Sequence, residues 1–342
     1  MCYLWRYAER VFRLGKKEDI LLIEIHGCKV TFYPPAGAAY LMGDFTDWDE
    51  TPLPISAAIT LEFPPGAYIE YAFLDAQKRP VADPDQLQRP EHAWYEYHRC
   101  VTLPGNMFTA PSRSVKLRGQ LIQQTLTSKV FGTQRTCYLY EPCVPPQMTL
   151  YVQDGEAYYQ RLRFHEVVDA LLEQGAILPV RLVMLEPHDR VREYWFNHAY
   201  EAFLLDEVMP HIAQRFGVTA QNGLWGASLG GLVAVWLAWQ HPHLFSVVGS
   251  QSGCFTATPQ GNDPHHDPEW LTAQFARTPT LPVRFYLDTG QIEWLLAPNR
   301  RFAALLADKK YTHYYAERPS GHTWATWEQG LVPGVRFLIP SE

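Results

Sequence analysis

Between residues 1 and about 110 the apolar and aromatic positions come in short runs, KVTFY, AAYLMG, ITLEF and YIEYAFL, separated by PPAGA, TDWDETP and PPGA. Apolar runs this short, punctuated by Pro, Gly and Asp, predict hairpin strands and an all-β sandwich. At TLPGNMFTAPSRS the residue types of turns gather without periodicity, which predicts a linker around residues 104–114 and two domains, 1–110 and 111–342. Beyond it, strand-like runs (TCYLYEP, MTLYVQDG, PVRLVMLEP, LPVRFYLDTG) alternate with longer segments whose apolar residues recur at helical spacing. HAYEAFLLDEVMPHIAQRFG is one, with Gly217 as a C-cap, and RRFAALLADKK is another. Strands alternating with helices predict an α/β domain, a mostly parallel sheet covered on both faces.

Composition narrows the function classes. The 342 residues are 47 % hydrophobic, enough for a large core, and the net charge of −7 is spread without blocks of one sign, so neither a nucleic-acid nor a membrane footprint is present. Arg6, Glu9 and Arg10 interrupt the apolar N-terminus where a secretory signal would need continuity, and no apolar run reaches the roughly 18 residues of a membrane span. A cytoplasmic protein is the expectation. The cysteines include no C-x-x-C pair and read as buried small apolar residues.

The stretch NGLWGASLGGLV carries the first candidate chemistry. If NGLW ends a buried strand and LGGLVAVWLAWQ opens a helix, Gly226 to Gly230 form a G-x-S-x-G turn with Ser228 at its tip. Glycines on either side let strand and helix approach, and the helix N-terminus aims free N–H groups at a developing oxyanion. The competing reading is a small-residue helix start packed on the sheet. A serine hydroxyl needs an imidazole, and the imidazole a carboxylate, in the chain order Ser, acid, His. His241 and His243 fall at the end of the elbow helix, and His265 and His266 in a polar loop, where a metal role is weak. His322 follows a strand-like THYYAERPSG and suits the base. Asp288 and Glu293, both in VRFYLDTGQIEW, are the candidate acids, and spacing alone does not separate them.

In order along residues 120–340, the motifs SKVFGTQRTCYLYEP, YVQDGEAYY, DRVREYWFN, FLLDEVMPHI, GASLGGLVAVWLAWQHPHLF, GSQSGCF, TGQIE and SGHTWATW resemble the enterochelin (enterobactin) esterase and feruloyl-esterase-like family of α/β-hydrolases. The resemblance implies a serine esterase with no metal and no cofactor. It places the nucleophile at Ser228, the base at His322 and the acid at Glu293, with Asp288 as the alternative acid. Oxyanion donors would be the N–H groups of Leu229 and Gly155. GDFTDWDETPLP, YIEYAFL and VADPDQ resemble the early-set immunoglobulin-like domain of the same enzymes, expected to shape the pocket mouth or a homodimer contact. The implied partner is a small-molecule ester of an aromatic or hydroxy acid, with a siderophore trilactone as the namesake. An anionic substrate of that kind would call for cations, and His188, Arg190 and Arg192 in EPHDRVRE are the candidates, in competition with pairing to Glu193 or Asp189. Departures from the family pattern are Ser320, Thr323 and Cys254.

Overall fold

The computed structural model describes residues 23–48, 50–83, 88–262 and 269–341. Two antiparallel sheets build the N-terminal part. One is β1 (Ile23–His26), β2 (Lys29–Phe32) and β5 (Ile59–Glu62); the other is β3 (Tyr40–Gly43), β4 (Leu53–Pro54), β6 (Tyr68–Leu74), β7 (Pro80–Val81) and β8 (Arg99–Thr102). Alternate residues point between the sheets: Val30 and Phe32 from one face Leu41, Ile69, Tyr71, Phe73 and Val101 from the other, which makes a sandwich with its own core. Residues 103–119 contain no helix or strand, and Thr109 and Ser114 bond onward to Gln329 and Glu166.

The second part is one eight-stranded sheet. Its strands are β9 (Gln120–Thr127), β10 (Gln134–Glu141), β11 (Met148–Gln153), β12 (Val180–Leu185), β13 (Gln221–Ala227), β14 (Val247–Gln251), β17 (Arg284–Gly290) and β18 (His313–Arg318). A small hairpin, β15 (Ala257–Thr258) and β16 (Gly261–Asn262), stands outside it. The order is β9-β10-β12-β11-β13-β14-β17-β18, antiparallel at the β9 and β10 edge and parallel from β12 onward. Both faces are covered, so the central strands are apolar on both sides along their middles: Leu224 points to one core and Trp225 to the other, and Val248 and Val247 divide the same way. This is the α/β-hydrolase architecture with a β domain in front of it.

The helices are α1 (Phe164–Glu173), α2 (Arg190–Tyr194), α3 (His198–Ala202), α4 (Met209–Phe216), α5 (Leu229–Gln240), α6 (Trp270–Arg277), α7 (Leu296–Asp308) and α8 (Trp324–Leu338). Residues 229–238 of α5 are all buried, which explains why LGGLVAVWLA is apolar on every side. The single helix expected over HAYEAFLLDEVMPHIAQRF is instead α3, a π-helical turn at Phe203–Val208, and α4. Pro210 has no N–H to return to the preceding turn, and the chain widens there, with the Met209 N–H reaching back to the Leu204 carbonyl. Gly217 caps α4 at φ 84.

One buried ion pair holds the segment that leads into α2. Arg135 on β10 donates to Glu193 (Nη1–Oε1 2.9 Å), and the same carboxylate accepts the His188 and Asp189 N–H groups at 3.0 Å each. The competitor for Glu193 is thus Arg135, not Arg190 or Arg192. Arg135→Ala strands a buried carboxylate and is expected to cost about 3–5 kcal/mol in a urea unfolding experiment; a loss below about 1 kcal/mol would show that the pair does not anchor this segment.

Candidate active site

Three adjacent strands of the large sheet release the chain in the same unusual way. The residue after β11, Asp154, has φ 56; the residue after β13, Ser228, has φ 56; the residue after β14, Ser252, has φ 47. Non-glycine residues at positive φ cost on the order of 1–3 kcal/mol each, and their clustering at one end of a sheet marks a place where surrounding structure overrides local preference. At Ser228 ψ is −119, outside even the left-handed helical region. Its N–H donates to the Gln251 carbonyl at 2.8 Å, and its own carbonyl accepts from Leu232 and Cys254 at 2.9 and 3.1 Å. Gly226 has no alternative here: a Cβ would stand 2.4 Å from the carbonyl carbon and oxygen of Gly230.

Leu229 opens α5, so its N–H belongs to the unpaired first turn of a buried helix. Across from it, the N–H groups flanking Gly155 are both taken: Asp154 donates to the Tyr194 hydroxyl (2.8 Å) and Glu156 to the Glu186 carboxylate (2.7 Å). For Gly155 itself no acceptor is found among the described residues. Arg190 ties this loop to the elbow. Its guanidinium grips Asp154 through two bonds, 2.7 and 3.0 Å, and donates to the Ala227 carbonyl at 3.1 Å. His188 and Arg192 go elsewhere, to a cleft of about 360 Å³ shared with Phe131, Arg135 and Glu193.

His322 lies between β18 and α8, and its Nδ1 is 2.9 Å from Glu293 Oε2. The other Glu293 oxygen accepts from the Thr289 hydroxyl. Both side chains are buried, with the Trp294 ring 4.6 Å from the imidazole and the Trp327 ring edge-on at 5.0 Å. Asp288 is occupied differently: it accepts from Tyr286 (2.7 Å), Gln251 (3.3 Å) and Arg318 (3.2 Å) under the sheet end. Burial raises its carboxyl above the ordinary range despite the pull of Arg318. Ser228, Glu293 and His322 therefore follow the carboxyl ends of parallel strands in that chain order; no hydrogen bond joins Ser228 to His322 among the described residues. No group of three or more His, Cys, Asp or Glu suited to a metal occurs among those residues. His265 and His266 lie outside them.

Residues that the motif pattern did not single out complete the surroundings. Trp94, 38 % exposed, and Trp294, 41 % exposed, flank the imidazole loop, and Asp44 packs against Gly321. Trp94 stands one position before the aromatic YEYHR run, whose Tyr95 and Tyr97 rings stack on each other, while Trp48 stacks on His98.

A family model described as "Putative esterase" matches residues 128–338. The chain belongs to this esterase family. Iron(III) salmochelin esterase of Escherichia coli O6:H1 is 25 % identical over 248 residues, 67 % of this chain; the chain spans 61 % of that protein's length. An uncharacterized protein of Bacillus subtilis, YbbA, is 27 % identical over 31 % of the chain and 49 % of its own length. Among solved structures, the enterobactin esterase of Shigella flexneri superposes with TM-score 0.67 at 17 % identity, over 90 % of this chain and 92 % of that one. Ferric enterobactin esterase of Salmonella typhimurium gives 0.69 at 15 % identity over 90 % and 93 %. A ferulic acid esterase gives 0.54 at 19 % identity, over 66 % of this chain and 98 % of its own. These structures share this chain's fold, the β domain included in the first two. No helix among the described residues is long and apolar enough to cross a membrane.

Glu186, which accepts the Glu156 N–H beside Gly155, yields a pH prediction. Burial, opposed by that N–H and reinforced by Asp154 and Glu156, lifts its carboxyl from 4.5 to about 7. The folded protein then holds this proton more tightly than the unfolded chain, so the contribution is full below pH 4.5 and fades as pH rises through about 7. Glu186→Gln keeps an acceptor for Glu156 and is expected to flatten the dependence of the urea midpoint across this window. Identical slopes for the variant and the parent would refute the assignment.

Proposed function

We propose that the protein is a serine esterase in which Ser228 is the nucleophile, His322 the general base and Glu293 the acid that orients it. The observation that carries this reading is the Glu293–His322 hydrogen bond, set beyond a serine held in a strained turn, in the chain order of this fold. Ser228 Oγ attacks an ester carbonyl while His322 Nε2 takes its proton; the tetrahedral oxyanion is received by the N–H groups of Leu229 and Gly155. Collapse expels the alcohol, which takes the proton back from His322, and water then deacylates Ser228 by the same route. In this reading Arg190 holds the Gly155 loop against the elbow, while His188 and Arg192 line the separate cleft beside Phe131 and are assigned no part in substrate binding.

The substrate class we propose is an ester of an aryl or hydroxy acid, with a siderophore trilactone as the leading case. The likeness to salmochelin esterase supports it, as does the exposed indole of Trp294, 4.6 Å from the imidazole, which suits an aryl group. The feruloyl-type alternative rests on the ferulic acid esterase likeness.

Two measurements test the reading. Wild type is expected to react with a fluorophosphonate and to hydrolyse at least one of an aryl acetate, a feruloyl ester and a catecholate trilactone. Ser228→Ala and His322→Ala should each lower kcat by about 10⁴-fold or more, Glu293→Gln by about 10³–10⁴-fold, and Asp288→Asn by less than about tenfold. Labelling that survives Ser228→Ala, or a wild type inert to every ester, would overturn it. Preference for the trilactone over the feruloyl ester decides between the two substrate readings.

A further inference from the structure

The loop that presents His322 is gripped from the N-terminal sandwich. Trp94 Nε1 donates to the His322 backbone carbonyl at 3.2 Å. Asp44, buried in the short turn after β3, lies directly on Gly321, where a Cβ would stand 2.2 Å from the Asp44 Cβ and Cγ. Only glycine admits that approach, which accounts for the glycine that precedes His322. The Tyr68 N–H donates to the Pro319 carbonyl at 2.9 Å. The neighbouring loop is caught as well: Ile292, next to Glu293, packs on the sandwich core, and its N–H donates to the Ser320 carbonyl at 3.1 Å.

The sheet does not require this help. The ferulic acid esterase is matched over 98 % of its length by 66 % of this chain, so the fold closes in a shorter protein. The grip of the sandwich falls on the segment with the tightest geometric demand, because an imidazole displaced by about 1 Å can cost on the order of 10²-fold in rate.

We propose that Trp94 and Asp44 are positioning residues for the catalytic base: they fix the backbone of Gly321 and His322 so that the imidazole, held by Glu293 at one nitrogen, keeps its other nitrogen directed to Ser228. The proposal rests on the reading of His322 as that base. Trp94 acts through a carbonyl, so its N–H governs the rate of acyl transfer and leaves the affinity for substrate in place. Its partly exposed ring offers a different explanation for any loss of activity, direct contact with substrate, and the two differ in whether kcat or KM moves.

The test is steady-state hydrolysis of an aryl acetate by the full chain as wild type, Trp94→Phe, His322→Ala and the double variant. Trp94→Phe keeps an aromatic ring and removes the donor; we expect kcat to fall about 10–100-fold with KM within about twofold. In the His322→Ala background the same change should cost nothing further, since a residue that acts through the imidazole has no effect once it is gone. An unchanged kcat, a raised KM at constant kcat, or equal losses in both backgrounds would each overturn the positioning role. If Trp94→Phe does not fold, Asp44→Ala serves in its place, with the same pattern expected and the same results decisive against it. A wild type that hydrolyses no ester sinks the underlying reading; one that hydrolyses the acetate and ignores both substitutions sinks only the positioning role.

Discussion

Ser228 does not adopt φ 56 and ψ −119 for any reason local to its own side chain. The conformation is imposed by its neighbours: β14, which accepts its N–H through Gln251, and the start of α5, whose Gly230 stands close enough to exclude a side chain at Gly226. Much of what surrounds the elbow serves to make that imposition possible. The helix behind it is buried on every side and packs both against β13 and β14, so the turn between strand and helix cannot relax outward. The strain of one residue, on the order of 1–3 kcal/mol, is small beside the burial of ten successive residues of α5, where each fully buried Val or Leu contributes roughly 1.5–3 kcal/mol.

Under the strand ends runs a polar network that a core of this kind tolerates only when its members are satisfied. Gln251 is its centre: its carbonyl oxygen accepts from Tyr158 and Trp225, and its amide donates to the Trp327 carbonyl and faces Asp288. Asp288 in turn is closed by Tyr286 and Arg318. This explains why a carboxylate at the end of an apolar strand, in the right chain order, is not the one beside the imidazole. Its lone pairs are already committed beneath the site, and Glu293, five residues on, is free to turn to His322.

Much of this was legible in the chain before any coordinates. The elbow and the strands around it follow from local composition, because glycine spacing and apolar runs report local backbone demands. β9 did not announce itself, since QLIQQTLT is an edge strand, mostly polar and exposed at alternate positions in its second half. The π-helical turn before α4 follows from Pro210, a signal present in the chain but overridden by the helical periodicity around it. Pairings between distant residues were beyond reach. That Arg190 would choose Asp154, that Glu193 would take Arg135, or that Trp94 would bond a carbonyl 228 positions away depends on topology, and no spacing rule encodes it.

The two halves of the site are consequently built by different means. Ser228 and the loop opposite it are fixed within the α/β part, by the elbow geometry and by the fork of Arg190 across Asp154 and Ala227. The imidazole and its carboxylate sit on loops after β17 and β18, toward the sheet edge, where only one neighbouring strand is present to restrain β18. An edge loop of this kind is the least constrained part of an α/β sheet, and a packed surface laid against it removes the freedom that the missing neighbour would have removed. The sandwich supplies that surface through Asp44, Tyr68 and Trp94, and receives Ile292 into its core in return. A domain whose strands carry none of Ser228, Glu293 and His322 is thereby joined to the His322 loop at the edge of the sheet.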